Sequence, residues 1–269
     1  MMKRLKHEWQ TLSKRLQTVN LALFLDYDGT LTPIVRHPRL AKLSNQHRQI
    51  LRRLNRCPHI WMAIVSGREL KEVKRFVRIP SMTYAGNHGF QVSGPGLHLV
   101  HPQAKKSARL FQKLLPALRA ELKTISGLWV ENKQLTLSIH YRQVRARDVA
   151  RAKQTLQKIL KPFLRQRRLK MTEGKKVWEL RPPVTWHKGE AVKWLLRQKQ
   201  SKSKRPWLPI FIGDDVTDED AFKAVKGHGI GVKVVYNLKR KPVRSQASYG
   251  VASVREVFWF LQVLQQLRG

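Results

Sequence analysis

Acidic residues are scarce in this chain, 17 Asp and Glu against 54 Lys and Arg, yet seven of the 17 fall in two short stretches. One is Asp26-Tyr27-Asp28-Gly29-Thr30; the other runs Gly213-Asp214-Asp215-Val216-Thr217-Asp218-Glu219-Asp220. Crowded carboxylates repel one another unless a cation compensates them or one of them keeps a proton. Neither stretch contains His or Cys, and an all-oxygen donor set suits Mg²⁺, which keeps several waters and binds through a few carboxylates plus substrate phosphate. The same residues have simpler uses. Asp28-Gly29 between apolar runs is a β-hairpin signal. Against that, Pro33 weakens a returning strand, and residues 21–25 are apolar throughout rather than alternating. Thr217 with Asp220 fits a capping box, as does Ser66 with Glu69.

The elements that must position these groups are legible as apolar runs bounded by breakers: LALFL (21–25), IWMAIV (60–65), MTYA (82–85), LPIFI (208–212) and IGVKVV (230–235). Such runs suit parallel strands buried on both faces. Helical patterns lie between several of them, at 44–56 behind a Ser cap and at 188–200. The alternation predicts an α/β fold with a doubly wound, Rossmann-like parallel sheet. Ligands bind such sheets beyond the carboxyl ends of the strands. Those ends carry Asp26, Asp28 and Thr30, then Ser66, Gly67 and Arg68, then Asn87 and His88, then Asp214 and Asp215, with Lys188 opening the helix before the fourth run. Four such ends in one sheet predict an active site rather than a hairpin turn.

The middle of the chain departs from that rhythm. A helix interrupted near Pro116, strands LWVEN and LTLSIHYR, a helix VARAKQTLQKILKPF, and strands RRLKM and KKVWELR predict an inserted α+β cap. The expected division is an N-terminal basic amphipathic helix at 1–19, a core at 20–103 and 183–269, and a cap domain at 104–182. Its ends, GPGLHLVHP (94–102) and RPPVTW (181–186), read as Gly/Pro-rich linkers.

A formal net charge of +37 predicts attraction to polyanions and says nothing of fold. The basic residues are spread along the chain, with clusters at 165–168, 202–205 and Lys239-Arg240-Lys241, and no nucleic-acid-binding signature accompanies them. The expectation is nonspecific polyanion binding at low salt without specific nucleic-acid recognition. One cysteine, Cys57, excludes an internal disulfide and points to a reducing, cytoplasmic setting. No apolar run is long enough to span a bilayer, and Leu5, Trp9, Leu12, Leu16 and Val19 at helical spacing predict a helix docked on the core.

The motif stretches carry a further signal. DYDGT, Ser66, Lys188 and GDD resemble, in order, the four motifs of haloacid-dehalogenase-like phosphohydrolases. LFLDYDGTLTPIV, IVSGR, YAGNHG, GPGLHLVHP, VENK, HYR, KKVWELRPPVTWHKGEA and GDDVTDEDAF together are similar to the trehalose-6-phosphate phosphatase family, from about residue 20 to 265. The resemblance implies Mg²⁺-dependent hydrolysis of trehalose 6-phosphate, a step of trehalose biosynthesis, through an aspartyl-phosphate. It implies Asp26 as nucleophile and Asp28 as general acid and base. It further implies a metal between Asp26, the Asp28 backbone carbonyl and Asp214, supported by Asp215 and Asp218, with Ser66 and Lys188 on the phosphoryl oxygens. Thr30, Gly67, Arg68, Asn87 and His88 would line the substrate site, and the cap, as a lid, would read the sugar with Glu131, Lys133, Arg142, Glu179 and Arg181. Simpler readings make Glu179 and Arg181 a surface pair and Glu131 a turn cap. His187 replaces a frequent acidic residue, the stretch 236–250 lacks the usual Thr-containing pattern, and the charge is high for the family. A phosphatase of another phosphorylated glycoside, such as sucrose phosphate or a glycosylglycerate phosphate, is the nearest alternative. A basic nucleic-acid or polyanion binder on a phosphatase fold is the different-class one.

Overall fold

A computed structural model describes residues 2–236 and 244–268. The cluster Lys239-Arg240-Lys241, and with it residues 237–243 of the 236–250 stretch, lies outside them. The chain divides into two compact units, one made of residues 1–98 and 186–269, the other of residues 99–185. These limits lie five residues before and three after the expected ones.

The first unit contains β1 (Lys3–Arg4), α1 (Leu5–Leu16), β2 (Asn20–Leu25), α2 (Asn45–Leu54), β3 (Ile60–Val65), α3 (Leu70–Val77), β4 (Thr83–Gly86) and β5 (Gln91–Gly94). β6 (Leu97–Val100) spans its boundary with the second. The second contains α4 (Pro102–Leu122), β7 (Trp129–Asn132), β8 (Leu137–His140), α5 (Ala146–Arg165), β9 (Lys170–Gly174) and β10 (Val177–Arg181). The chain then returns to the first with α6 (Lys188–Gln200), β11 (Trp207–Gly213), α7 (Glu219–Val225), β12 (Ile230–Val234), β13 (Tyr249–Val251) and α8 (Val254–Arg268).

A nine-stranded sheet of order β1-β13-β12-β11-β2-β3-β4-β5-β6 organises the first unit. It is parallel from β1 through β4, and β5 returns antiparallel to β4. Every residue of β2 is buried, as a central strand covered on both faces requires. Leu23, Leu25, Ile64, Ile210 and Val232 share one apolar core with Leu51, Leu54, Phe258 and Leu261 of the helices. α1 joins that core through Leu5, Leu12 and Leu16, and Trp9 meets Trp259 and Phe260 edge-on, so the N-terminal helix is part of this unit. Cys57 packs half-buried against the same core.

The stretch 94–102, read as a linker, instead turns at Gly94-Pro95-Gly96 and pairs onto the sheet as β6. Gly and Pro mark a tight turn as readily as a linker. Residues 28–32 form a single isolated bridge rather than a hairpin.

In the second unit, four antiparallel strands lie in the order β7-β8-β10-β9. Val130, Leu137, Ile139, Trp178 and Leu180 form one face and share a core with Phe111, Leu114 and Leu118 of α4 and Ala152, Leu156 and Leu160 of α5. α4 is not interrupted at Pro116. The carbonyl that loses its partner there belongs to Gln112, which is exposed, as is Pro116, so solvent replaces the missing N–H. The strand expected at 167–171 starts three residues later, because Arg167 (φ 52°) and Arg168 still close the end of α5 onto Leu164 and Phe163 carbonyls. Among the described residues no helix is long and apolar enough to cross a membrane.

Candidate active site

β11, β2, β3 and β4 are parallel neighbours, so their carboxyl ends open on one edge of the sheet. At that edge the buried ammonium of Lys188, the first residue of α6, donates to Asp26 Oδ1 at 2.8 Å and to Asp218 Oδ1 at 2.7 Å. The other oxygen of Asp218 accepts from the backbone N–H of Asp214 and of Asp215, both at 2.9 Å. Ligand oxygens of Asp26, Asp214 and Asp218 all lie within 4.8 Å of one another. Two carboxylates thus share one buried lysine, with a third beside them.

The electrostatics follow from that crowding. Burial raises the Asp26 carboxyl well above its ordinary range; Lys188 opposes the shift, and Asp218 and Asp214 add to it. Burial works against the charge of Lys188, but Asp218 and Asp26 override it and hold the ammonium above its usual value. Both oxygens of Asp218 are engaged, so Asp218 fixes Lys188 and the Asp214 backbone, while the adjacent carboxylates of Asp26 and Asp214 are compatible with a hard, oxygen-binding cation. The remaining acids of the second stretch do other things. Asp215 and Asp218 make the capping box predicted for Thr217 and Asp220. Glu219 accepts from Lys233, Ser245 and the Gln246 N–H, and Asp220 is exposed beside His187 at 3.8 Å.

Asp28 stands apart from that cluster. Arg68 grips its carboxylate at two points, Nε to Oδ2 at 2.7 Å and Nη2 to Oδ1 at 2.6 Å. Arg68 is itself fixed by Glu72 at 3.0 Å and the Pro38 carbonyl at 2.7 Å, and lies over the rings of Tyr27 and Phe76. Arg68, expected on the substrate, therefore holds the second aspartate. Ser66 is not a helix cap: its Oγ accepts from the Arg68 N–H at 3.2 Å, and α3 begins four residues later. Asn87 and His88 both take positive φ, 51° and 57°, and their N–H groups bond the carbonyls of Arg68 and Ser66. A Cβ on Gly67 would stand 2.7 Å from the His88 ring. Gly29 is required twice over: its φ is +79°, and a Cβ there would lie 2.3 Å from the Asp214 carboxyl. Thr30 is fully buried in the same loop.

One group at this edge was not predicted. Tyr236 Oη donates to the Gly29 carbonyl at 2.8 Å, and burial, helped by Asp214, pushes its phenol up to about 12. It lies two residues past β12, so the end of the fifth apolar run, examined like the first four, points to it.

The second unit gathers a separate polar set. Strand register aligns Glu131, Ser138, Glu179 and Thr172 side by side on the sheet face opposite the helices. Lys133 Nζ lies 3.4 Å from Glu179 Oε1 and 3.9 Å from Glu131 Oε2, and Ser138 Oγ donates to Glu179 at 3.3 Å. Arg181 follows two residues after Glu179 on the same strand face and is buried like it. Arg142 is placed differently: it is exposed and donates to the Lys175 carbonyl at 2.8 Å. His140, unremarked within the HYR stretch, stacks on Trp129 and meets Glu131 Oε2 at 2.7 Å. Burial lowers its pKa, with Glu131 opposing.

Residues 24–255 match the model of one family, trehalose-phosphatase. The chain belongs to that family. It is 35% identical over 262 residues to trehalose 6-phosphate phosphatase RA3 of Zea mays, covering 93% of this chain and 71% of that protein. With the probable trehalose-phosphate phosphatase D of Arabidopsis thaliana the identity is 37% over 256 residues, 91% of this chain and 67% of the relative. The solved C-terminal domain of Candida albicans trehalose-6-phosphate phosphatase superposes with a TM-score of 0.81 at 24% identity, covering 99% of this chain and 98% of that one. That likeness extends the family's fold over both units of the present chain.

Proposed function

We propose that this chain hydrolyses trehalose 6-phosphate to trehalose and inorganic phosphate, with Mg²⁺ as cofactor and Asp26 as nucleophile. The observation that carries the assignment is the buried Lys188 ammonium shared by Asp26 and Asp218 beside Asp214. Asp26 and Asp214 would hold the ion together with the Asp28 carbonyl. When bound, it neutralises phosphoryl charge and the repulsion between the carboxylates.

Asp26 attacks phosphorus as the bond to the sugar oxygen breaks, giving an aspartyl-phosphate and an alkoxide that takes its proton from Asp28. Water then attacks the phosphoryl group, Asp28 takes its proton, and Asp26 leaves with the bonding pair as phosphate departs. Lys188 orients Asp26 and screens its approach to a dianion; Ser66, with the N–H groups of the strand ends, receives the phosphoryl oxygens. A guanidinium has donors only, so a protonated Asp28 cannot keep a two-point contact with Arg68. Delivery of the first proton therefore requires Asp28 to release Arg68, and the contact re-forms when Asp28 is ionised. Glu131, Lys133, Glu179 and Arg181 are assigned to sugar hydroxyls, which carboxylates accept from and cations donate to. A reducing, cytoplasmic setting fits the single thiol.

Phosphate release from trehalose 6-phosphate, sucrose phosphate, glucosylglycerate phosphate and glucose 6-phosphate, each with Mg²⁺ and with chelator, tests the reading. Preference for trehalose 6-phosphate, dependence on Mg²⁺ and silence of Asp26→Asn are expected. Equal rates on all four sugars would overturn the substrate, and turnover by Asp26→Asn the nucleophile.

A further inference from the structure

Helix α5 carries a feature that the phosphatase site does not use. Arg147, Arg151, Gln154, Lys158, Lys161 and Arg165 recur every three or four residues, so they fall on one line along the helix. All six are exposed. The opposite side buries Ala152, Leu156 and Leu160 in the core of the second unit. Asp148 is the only carboxylate of the helix; it sits off the line, 3.5 Å from Arg151. Among the described residues, Arg147, Lys158, Lys161 and Arg165 have no ion-pair partner.

Helix stability does not explain this line. Like charges three and four residues apart destabilise a helix. Arg147 also stands in the first turn, where the macrodipole disfavours a cation. The line spans about 27 Å at 1.5 Å per residue, a length that faces roughly eight phosphates of one strand at ~3.4 Å each. A membrane-surface helix would need an apolar side to insert, and here that side is spent on the core. Among the described residues the exposed large apolar side chains are Leu40, Val216 and Tyr236, none of them on α5.

We propose that the basic ridge of α5 binds the phosphate backbone of nucleic acid without reading its sequence. Charge complementarity along a rigid rod supplies the interaction, so affinity falls with salt by counterion release.

The test is fluorescence anisotropy with a labelled, mixed-sequence 30-nucleotide RNA across a KCl series. It compares three proteins: the parent chain, a ridge variant (R147Q, R151Q, K158Q, K161Q, R165Q) and a control losing five exposed charges of the first unit (K14Q, R15Q, R53Q, K71Q, K223Q). Glutamine keeps helix propensity close to that of Lys and Arg. The ridge variant is expected to bind at least tenfold more weakly at 0.1 M KCl. Its slope of log affinity against log salt should be shallower by about 3.5, five contacts at ~0.7 each. The control should keep most of the affinity, and all three should release phosphate at the same rate. Should the ridge variant fail to fold, K158Q/K161Q alone should lower the slope by about 1.4. Equal weakening in ridge and control variants overturns the proposal, as does absence of RNA binding by the parent at 0.1 M KCl. Ridge-dependent binding to phosphatidylserine vesicles tighter than to RNA overturns it too.

Discussion

Replacing Lys188 by Met is the perturbation whose consequences follow most directly from the geometry. The ammonium is buried and makes two short contacts, 2.8 Å to Asp26 and 2.7 Å to Asp218, and oxygens of these two carboxylates lie within 4.8 Å of one on Asp214. Removing one partner of a buried ion pair costs about 3–5 kcal/mol, because the charge left behind has neither water nor counter-ion. Here two anions lose the same partner, so the upper part of that range is expected at pH 8 without metal. The loss must depend on pH. Asp26 has its folded pKa raised by burial, and Lys188 opposes that shift, so its removal drives the value higher still. A group raised on folding contributes stability that is complete below its unfolded pKa and is lost as pH rises through the folded one. The K188M deficit should therefore be smaller at pH 5 and larger at pH 8, the direction in which a raised carboxyl gives up its proton. Urea unfolding of both proteins at the two pH values, in EDTA and in millimolar Mg²⁺, measures it; added Mg²⁺ should recover part of the loss. A deficit below about 1 kcal/mol at pH 8, or one equal at both pH values, would show that Asp26 and Asp218 do not depend on Lys188.

Gly29→Ala forces a positive φ on a Cβ-bearing residue and pushes on the Asp214 carboxyl. It should cost about 1–3 kcal/mol in strain and raise the Mg²⁺ concentration needed for half-maximal activity; an unchanged metal requirement would refute the role of that close approach. Arg68→Lys replaces a two-point grip on Asp28 with a single point. It should lower kcat roughly tenfold, part of the ~10²–10⁴ that acid–base catalysis supplies, while KM stays nearly constant. A raised KM at constant kcat would return Arg68 to the substrate. Glu179→Gln removes the charge facing Lys133. It should raise KM for trehalose 6-phosphate about tenfold, the lower end of a charged hydrogen bond's worth of ~1.5–3 kcal/mol, and leave p-nitrophenyl phosphate turnover alone.

The central strands were readable because each is an unbroken apolar run, and the residues at their ends were readable because a parallel sheet presents all those ends on one edge. Partnerships between those residues were not. Arg68 and Asp28 are forty positions apart, and nothing in either local sequence says that the guanidinium turns to the aspartate. β1 and β13, two and three residues long, carry too little pattern to be seen. Pro116 was read by its usual effect on a helix, which solvent cancels when the orphaned carbonyl is exposed. Tyr236 and His140 are single polar aromatics whose importance comes from what folds against them, Gly29 in one case and Glu131 with Trp129 in the other.

The strands at the middle of the large sheet, β2 and β11, pair Leu21 with Leu208. Much of the chain between them belongs to the second unit, which has its own core. Loop-closure entropy grows only logarithmically, by about 0.6 kcal/mol per doubling of length, so carrying this insertion penalises the central pairing very little. Evolution, or an engineer, can accordingly exchange the inserted module for a larger or smaller one with scarcely any effect on the strand pairing that brings Asp26 and Asp214 to one edge of the sheet.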